Sequence, residues 1–257
     1  DPGALRLQLM QGKGRALVCV MAANNETGVV QDIAAVARVV KAEGGEGALL
    51  HVDAVQMAGK LPLSFAASGA DTMTLSAHKL GGPQGAGALI VRDGAPLASQ
   101  IAGGGQEKGR RSGTENVAAI AGFGAAAEEV ADLAQSPRLA QMRDTFEAEL
   151  KRLAPDAAIF GAGAARLPNT SNFAVPGLSA ETALIALDLD GIAVSSGSAC
   201  SSGKVKPSHV LAAMGVDEAL ARCGLRVSFG WSNGEKDLDA LIASLRRLIA
   251  RRAAMAA

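Results

Sequence analysis

Two residues at the ends of apolar segments, Lys79 and Asp53, form a pair that suits carbonyl chemistry. Asp53 ends the segment ALLHV, and Lys79 follows the segment DTMTL and the turn Ser-Ala-His. A lysine amine at a buried strand end can form a Schiff base with an aldehyde, and an aspartate can pair with a pyridinium nitrogen. The pair matches the needs of a pyridoxal-phosphate site. A solvated lysine at a strand exit and a strand-end aspartate are also common, so the pair alone leaves a surface role open.

Cys200 and Arg226 are the second group of residues with recognisable chemistry. Cys200 lies in SSGSACSSG, where almost nothing apolar surrounds it, and an exposed thiolate can act as a nucleophile. By contrast, Cys19 lies within an apolar strand, which predicts a buried small hydrophobe, and Cys223 has no special context. Arg226 begins the segment RVSFG, where its guanidinium can bind a substrate carboxylate through two hydrogen bonds. An incidental loop cysteine and a surface arginine are the alternatives.

The glycine-rich segment 103–113 is a candidate anion-binding loop. Its sequence GGGQEKGRRSG precedes Thr114 and a long Ala-rich helix, and backbone N–H groups at a helix start can hold a phosphate. The segment lacks the pattern G-x-x-x-x-G-K-[ST], which disfavours a nucleoside-triphosphate site. The histidines and cysteines show no metal-ligand spacing, so we predict no metal site.

The overall composition excludes several classes of protein. The chain has 257 residues, with 25 Lys and Arg against 25 Asp and Glu, so its formal net charge is zero. It therefore has no excess of positive charge with which to bind nucleic acid or a membrane surface. Its 49% hydrophobic and 19% charged residues are typical of a globular protein. No apolar run is long enough to span a membrane, and three cysteines without a C-x-x-C pair suit a reducing compartment, so we predict a cytoplasmic protein.

The first half of the chain reads as alternating strands and helices. Strands are predicted over residues 15–22, 48–52, 71–75 and 85–91, and a helix over 32–43. Apolar strands of this kind predict a mostly parallel sheet that is buried on both faces. Ligands bind beyond the carboxyl ends of such strands, so we expect the turns NNETG, DAVQ and SAHK to lie at one edge.

The second half mixes helices with fewer strands. Helices are predicted over 135–153, 180–189, 207–214 and 235–252, and strands over 156–160, 172–175 and 225–229. This pattern predicts an α+β region. The chain as a whole is therefore predicted to be α/β in its first part and α+β in its second.

Six segments in register resemble one known family. NNETGVV, HVDAVQ, SAHKLGGPQGAG, GGGQEKGRRSGTEN, SSGSACSSG and LRVSFG are similar, in this order, to cysteine desulfurases of the NifS/IscS type. These enzymes belong to the class V aminotransferase group of fold-type I pyridoxal-phosphate enzymes. The resemblance implies a large pyridoxal-phosphate-binding domain over 1–134 and a smaller C-terminal domain over 135–257 that carries a mobile loop with the catalytic cysteine. It also implies that the family's N-terminal third has no equivalent here.

The resemblance implies how pyridoxal 5'-phosphate would be held. Lys79 would bond to the cofactor aldehyde and move the substrate α-proton, Asp53 would pair with the pyridine nitrogen, and Gln56 would bond the ring hydroxyl oxygen. The residues implied as phosphate contacts are Ser76, His78 and, reaching the cofactor of a neighbouring subunit, Thr114. His78 also counts among the implied catalytic residues, and Asn25 among the cofactor-binding ones.

The resemblance further implies a substrate and a reaction. Asn25 and Arg226 would hold the carboxylate of L-cysteine, and Cys200 would attack its sulfur, keep it as a persulfide and release L-alanine. The implied partners are a second copy of the chain and a protein sulfur acceptor such as an iron–sulfur scaffold, in iron–sulfur cluster assembly or tRNA thiolation. A selenocysteine lyase of the same fold, or a catalytically incompetent remnant that acts as an interaction module, are the alternatives.

Overall fold

The computed structural model describes residues 1–197 and 208–256, and the chain divides into two compact units. Unit 1 comprises Asp1–Ala23 and Gln31–Leu133, and unit 2 comprises Asn24–Val30 and Ala134–Ala257. The NNETG turn therefore belongs to unit 2, although the sequence around it reads as part of the first half. The domain boundary after residue 134 stays a prediction.

Unit 1 is built on a four-stranded mixed sheet. The strands are β1 (Leu17–Met21), β2 (Leu49–Asp53), β3 (Thr72–Ser76) and β4 (Gly87–Val91), in that spatial order. The first three run parallel and β4 pairs antiparallel with β3, so the prediction of a mostly parallel sheet is confirmed. The connection over residues 77–86 is too short for the crossover that a parallel β4 would need.

The two faces of this sheet have different surroundings. One face packs Val18, Leu50 and Met73 into a core with helix α2 (Ile33–Glu43), which in turn contacts helix α1 (Pro2–Gln11). On the other face Cys19 is exposed, so the prediction that it is buried was wrong. Val18 and Cys19 are neighbours on β1, an edge strand of the sheet, and successive side chains of a strand point to opposite faces. Within the described residues, the packed core lies on the face that carries Val18.

The remaining elements of unit 1 are short helical turns and one longer helix. They are α3 (Phe65–Ser68), 3₁₀ turns at Ala77–Lys79 and Gln106–Gly109, and α4 (Val117–Glu129). Helix α4 begins after Asn116, whose side chain accepts a hydrogen bond from the N–H of Ala119 at 3.2 Å. This cap places the residues of segment 103–113 directly before a helix start, as the sequence predicts.

Unit 2 has the predicted α+β composition. Its antiparallel sheet has the order β5 (Ala158–Ile159), β6 (Thr170–Ala174), β7 (Gly224–Ser228). Its helices are α5 (Ser136–Leu153), α6 (Ala180–Leu189), α7 (His209–Ala213), α8 (Glu218–Ala221) and α9 (Glu235–Ala256). Phe146 of α5 and Phe173 of β6 pack edge to face in its core, with ring centroids 5.2 Å apart. In the described part of the chain no helix is both long and apolar enough to cross a membrane.

Candidate active site

Polar residues end two neighbouring parallel strands of unit 1. Asp53 is the last residue of β2 and Ser76 is the last of β3, and Asp53 lies opposite Thr74 in the pairing of these strands. Because alternate residues of a strand share a face, Ser76 lies on the same face as Thr74 and Asp53. Asp53 is exposed, and its Oδ1 accepts the N–H of Val55 at 3.0 Å. A carboxylate and a hydroxyl are thus presented together at this edge.

Lys79 and His78 follow Ser76 in the 3₁₀ turn that ends β3. The Ser76 hydroxyl and the His78 Nδ1 atom are 2.8 Å apart and share a hydrogen bond. The turn is anchored by Ala77, which is fully buried and whose carbonyl accepts the N–H groups of Leu80 at 2.9 Å and Gly82 at 3.0 Å. Within unit 1, His78 and Lys79 are exposed, so both side chains can reach a ligand at the sheet edge.

Gln56 lies in the turn that follows Asp53, together with a lysine that the sequence analysis missed. The Lys60 Nζ atom donates to the Gln56 carbonyl at 2.9 Å. Burial, and then the positive charge of Lys79, lower the pKa of Lys60 from its usual 10.5 to about 8. The two ammonium groups therefore influence one another, and together they favour an anion such as a phosphate. The only signal in the sequence was the position of Lys60 shortly after HVDAVQ.

Thr114 lies between the glycine-rich segment and helix α4. It is exposed, and the segment before it has two non-glycine residues with left-handed backbone, Glu107 at φ 49° and Lys108 at φ 56°. The Ser112 hydroxyl donates to the Gly104 carbonyl at 3.0 Å and closes the loop on itself. Left-handed conformations at non-glycine residues are unfavourable and occur often at functional sites.

Asn25 and Arg226 are brought into contact within unit 2, although 201 residues separate them in the chain. The Arg226 Nη1 atom donates to the Asn25 carbonyl at 2.9 Å, and its Nη2 atom donates to the Ser195 hydroxyl at 3.1 Å. Ser195 and Arg226 also exchange two backbone hydrogen bonds, at 2.7 and 3.1 Å. This arrangement holds a guanidinium, the group that proteins use most effectively to bind carboxylates, beside the Asn25 turn.

For two further residues of unit 2, Glu26 and Ser208, the sequence predicted no role. Glu26 is buried, and its carboxyl accepts a hydrogen bond from the hydroxyl of Ser208, which is also buried. Nothing in the spacing of these residues, which are 182 positions apart, signals the contact. The predicted nucleophile Cys200 lies outside the described residues.

The side chains at the unit 1 edge have the chemical types that pyridoxal 5'-phosphate requires. Asp53 would offer a carboxylate to a pyridine nitrogen, Lys79 an amine to an aldehyde, and Ser76 with His78 hydrogen-bonding groups to a phosphate. The Lys60 and Lys79 ammonium groups add positive charge. Over residues 1–197 and 208–256, no group of three or more His, Cys, Asp or Glu side chains could hold a metal ion.

Comparison with known proteins gives close matches to desulfurases. The chain is 41% identical to the cysteine desulfurase of Klebsiella pneumoniae over 237 residues, which cover 92% of this chain and 59% of that protein. A NifS-like protein from Rickettsia africae superposes with a TM-score of 0.88 at 38% identity, over 97% of this chain and 66% of that one. SspA, solved in complex with cysteine, gives a TM-score of 0.71 at 31% identity, over 87% of this chain and 62% of that one.

These matches agree with the predicted fold, which is confirmed by solved NifS-like structures of the same architecture. The chain spans about three fifths of the length of the curated desulfurases that it matches. Residues 6–241, which include both sheets, match the family described as aminotransferase class-V. By its sequence and its fold, this chain belongs to the class-V aminotransferase family.

Proposed function

We propose that the whole protein is a pyridoxal-phosphate-dependent cysteine desulfurase. The observation that carries the proposal is the edge of the unit 1 sheet, where Asp53, Ser76, His78 and Lys79 combine the functional groups that this cofactor needs. The matches to proteins named cysteine desulfurase, and to SspA in complex with cysteine, support cysteine as the substrate. The proposed reaction converts L-cysteine to L-alanine and leaves the sulfur on Cys200.

Each of the proposed cofactor residues would contact a different part of the cofactor. Asp53 holds the pyridine nitrogen in its protonated form, and Gln56 bonds the ring hydroxyl oxygen. Lys79 would hold the cofactor through its aldehyde group and would carry the substrate α-proton on its Nζ atom. The proposed phosphate contacts are Ser76, His78 and, for a second subunit, Thr114. When bound, the cofactor supplies an electron sink for the bonds at the substrate α-carbon.

The substrate residues fix the amino acid and receive its sulfur. Arg226 binds the α-carboxylate, with Asn25 beside it. The Cys200 thiolate attacks the substrate sulfur, the carbon–sulfur bond breaks, and its electron pair remains on the substrate carbon. That carbon takes a proton, Lys79 returns the α-proton to give L-alanine, and the sulfur stays on Cys200 as a persulfide. A protein acceptor such as an iron–sulfur scaffold then removes it.

A two-part mass measurement tests this function. The chain is incubated with pyridoxal 5'-phosphate, reduced with borohydride and weighed intact, beside the variants Lys79→Ala and Lys41→Ala, the second of which changes an exposed lysine of α2. We expect one cofactor adduct in the wild type and in Lys41→Ala and none in Lys79→Ala. L-cysteine should then add one sulfur atom to Cys200 in the unreduced sample. An adduct that survives Lys79→Ala, or sulfur addition that survives Cys200→Ala, contradicts the proposal. L-selenocysteine, assayed in parallel, tests for a lyase of the same fold.

We also propose that two copies of the chain associate through the region around segment 103–113. A cavity of about 730 Å³ lies between β4 and this segment, and apolar side chains that line it are exposed, including Ile101 at 56%, Leu89 at 47% and Ile120 at 45%. Exposed apolar patches of this kind mark association surfaces. Light scattering should show a dimer that Ile120→Glu dissociates, while Ile185→Glu, an exposed isoleucine of α6, leaves it intact. We also propose a cytoplasmic location, because the proposed reaction needs Cys200 in its reduced form and reducing compartments keep thiols reduced.

A further inference from the structure

Glu26 is a buried glutamate that is held through its backbone and its side chain. Only 1% of its surface is exposed. Its N–H donates to the Asn24 Oδ1 atom at 2.9 Å, its carbonyl accepts from the Asn172 Nδ2 atom at 3.1 Å, and its carboxyl accepts from the Ser208 hydroxyl. Burial of a carboxyl group is unfavourable unless hydrogen bonds compensate for lost hydration. The hydrogen bond from Ser208 therefore compensates for the burial of the Glu26 carboxyl and fixes the position of this side chain.

Ser208 connects this carboxyl to helix α7. It is the N-cap of the helix, and its Oγ atom accepts the N–H of Leu211 at 3.1 Å while its O–H donates to Glu26. Ser208 is 4% exposed, so water does not compete strongly for either bond. One hydroxyl thus joins the turn Asn24–Val30 to the start of α7.

The peptide groups on either side of the Glu26 α-carbon contact two paired strands. The carbonyl of Asn25 accepts from Arg226 on β7 at 2.9 Å, and the carbonyl of Glu26 accepts from Asn172 on β6 at 3.1 Å. Asn172 and Arg226 lie opposite one another in the pairing of β6 and β7. Any displacement of Glu26 therefore moves the acceptor that holds one arm of the Arg226 guanidinium.

We propose that Glu26 is a positioning residue for Arg226. By accepting the Ser208 hydroxyl bond, its carboxyl holds the Asn24–Val30 turn in place, and the turn orients the guanidinium toward the α-carboxylate of an amino-acid ligand. Glu26 itself does not touch the ligand. This inference rests on the proposed function, because that function makes Arg226 the carboxylate-binding group.

Two ligands that differ only in a carboxylate separate positioning from a general structural role. L-alanine carries the carboxylate and ethylamine lacks it, and both amines change the absorbance of the cofactor bound to the protein. Dissociation constants for each are measured in wild type, Glu26→Ala and Glu26→Gln. Since a weakened hydrogen bond between charged groups costs about 10-fold or more in affinity, we expect Glu26→Ala to weaken L-alanine binding by about 10-fold or more and ethylamine binding by less than about twofold. Glu26→Gln, whose amide oxygen still accepts from Ser208, should recover most of the affinity.

Variants of Ser208 test the same hydrogen bond if Glu26→Ala fails to fold. Ser208→Ala removes the hydroxyl and should weaken L-alanine binding as Glu26→Ala does, whereas Ser208→Thr keeps the hydroxyl and the helix cap and should not. The double variant Glu26→Ala with Ser208→Ala should be no weaker than either single variant. Unchanged L-alanine binding, or an equal loss for both ligands, overturns the inference. A wild type that binds L-alanine but forms no persulfide on Cys200 refutes the proposed function while leaving the positioning role of Glu26 measurable.

Discussion

Replacing Lys60 with methionine should raise the free energy of unfolding of unit 1 at neutral pH. The Lys60 ammonium is largely buried and close enough to feel the charge of Lys79, and these two effects lower its pKa from 10.5 to about 8. Methionine has a similar unbranched stem and no charge, so it removes the penalty of the buried ammonium while filling the same space.

The magnitude follows from the pKa of Lys60. A reduction from 10.5 to about 8 corresponds to about 3 kcal/mol of destabilisation of the charged form. The Lys60 hydrogen bond to the Gln56 carbonyl, at 2.9 Å, is lost in the variant and costs about 1 kcal/mol. We therefore expect Lys60→Met to be more stable than wild type by about 2 kcal/mol at pH 7.

The stability difference between Lys60→Met and wild type should depend on pH. Below pH 8 Lys60 is protonated in both the folded and unfolded wild type, and the full penalty is present. Between pH 8 and 10.5 the folded state loses this proton before the unfolded state does, so the stability of the wild type rises with pH. The advantage of Lys60→Met should shrink over the same interval and reverse near its upper end, where the penalty is gone and only the lost hydrogen bond to Gln56 remains.

Hydrogen exchange of β2 and β3 peptides in increasing urea measures the unfolding of unit 1 at each pH. The matched control is Lys41→Met, which changes an exposed lysine in the last turn of α2 and should alter stability by less than about 0.5 kcal/mol at any pH. A Lys60→Met variant that is no more stable than wild type at pH 7, or whose advantage does not fall as the pH rises, would refute the assignment of a buried, charge-repelled ammonium.

The other predictions concern buried charged groups in each unit. Asp71 in unit 1 is buried and accepts the N–H of Leu50 at 2.7 Å, so Asp71→Ala, which leaves that N–H unpaired, should lower the free energy of unfolding by about 1–3 kcal/mol in urea, whereas the exposed Asp93→Ala should not. In unit 2, Glu147 forms a bidentate pair with Arg166 at 2.7 and 2.8 Å, and both side chains are about nine tenths buried. Glu147→Ala should therefore lower the free energy of unfolding in urea by about 3–5 kcal/mol, and adding Arg166→Met should restore much of this loss. An equal loss in the single and the double variant would contradict the pairing.

The strands and most helices could be predicted closely because their signals are local. The apolar segments predicted over 15–22 and 71–75 become Leu17–Met21 and Thr72–Ser76, and the helix over 180–189 has the bounds Ala180–Leu189. A strand that is apolar on both sides pairs with others of its kind, and this produced the parallel arrangement of β1, β2 and β3. The ends of these strands then located Asp53 and Ser76 at one edge.

Cys19 shows where local pattern was insufficient. The same apolar run contains Val18, which is buried, and Cys19, which is exposed, because each strand face has its own surroundings. The NNETG turn shows a second limit, since it follows β1 in sequence but packs within unit 2 through Asn172 and Arg226. Sequence adjacency to a strand did not determine which unit the turn joins.

By itself, the sequence determined the chemical types available and the strand ends that carry them, because apolar runs and turn residues act over a few positions. It pointed to Lys79, Asp53 and Arg226 on those grounds. Only the tertiary structure decided that Arg226 is held by the Asn25 carbonyl across 201 residues, and that Glu26 bonds Ser208 across 182. It also decided that burial and Lys79 lower the pKa of Lys60. Such contacts depend on which distant segments pack together and how deeply they exclude water, and no local spacing encodes either quantity.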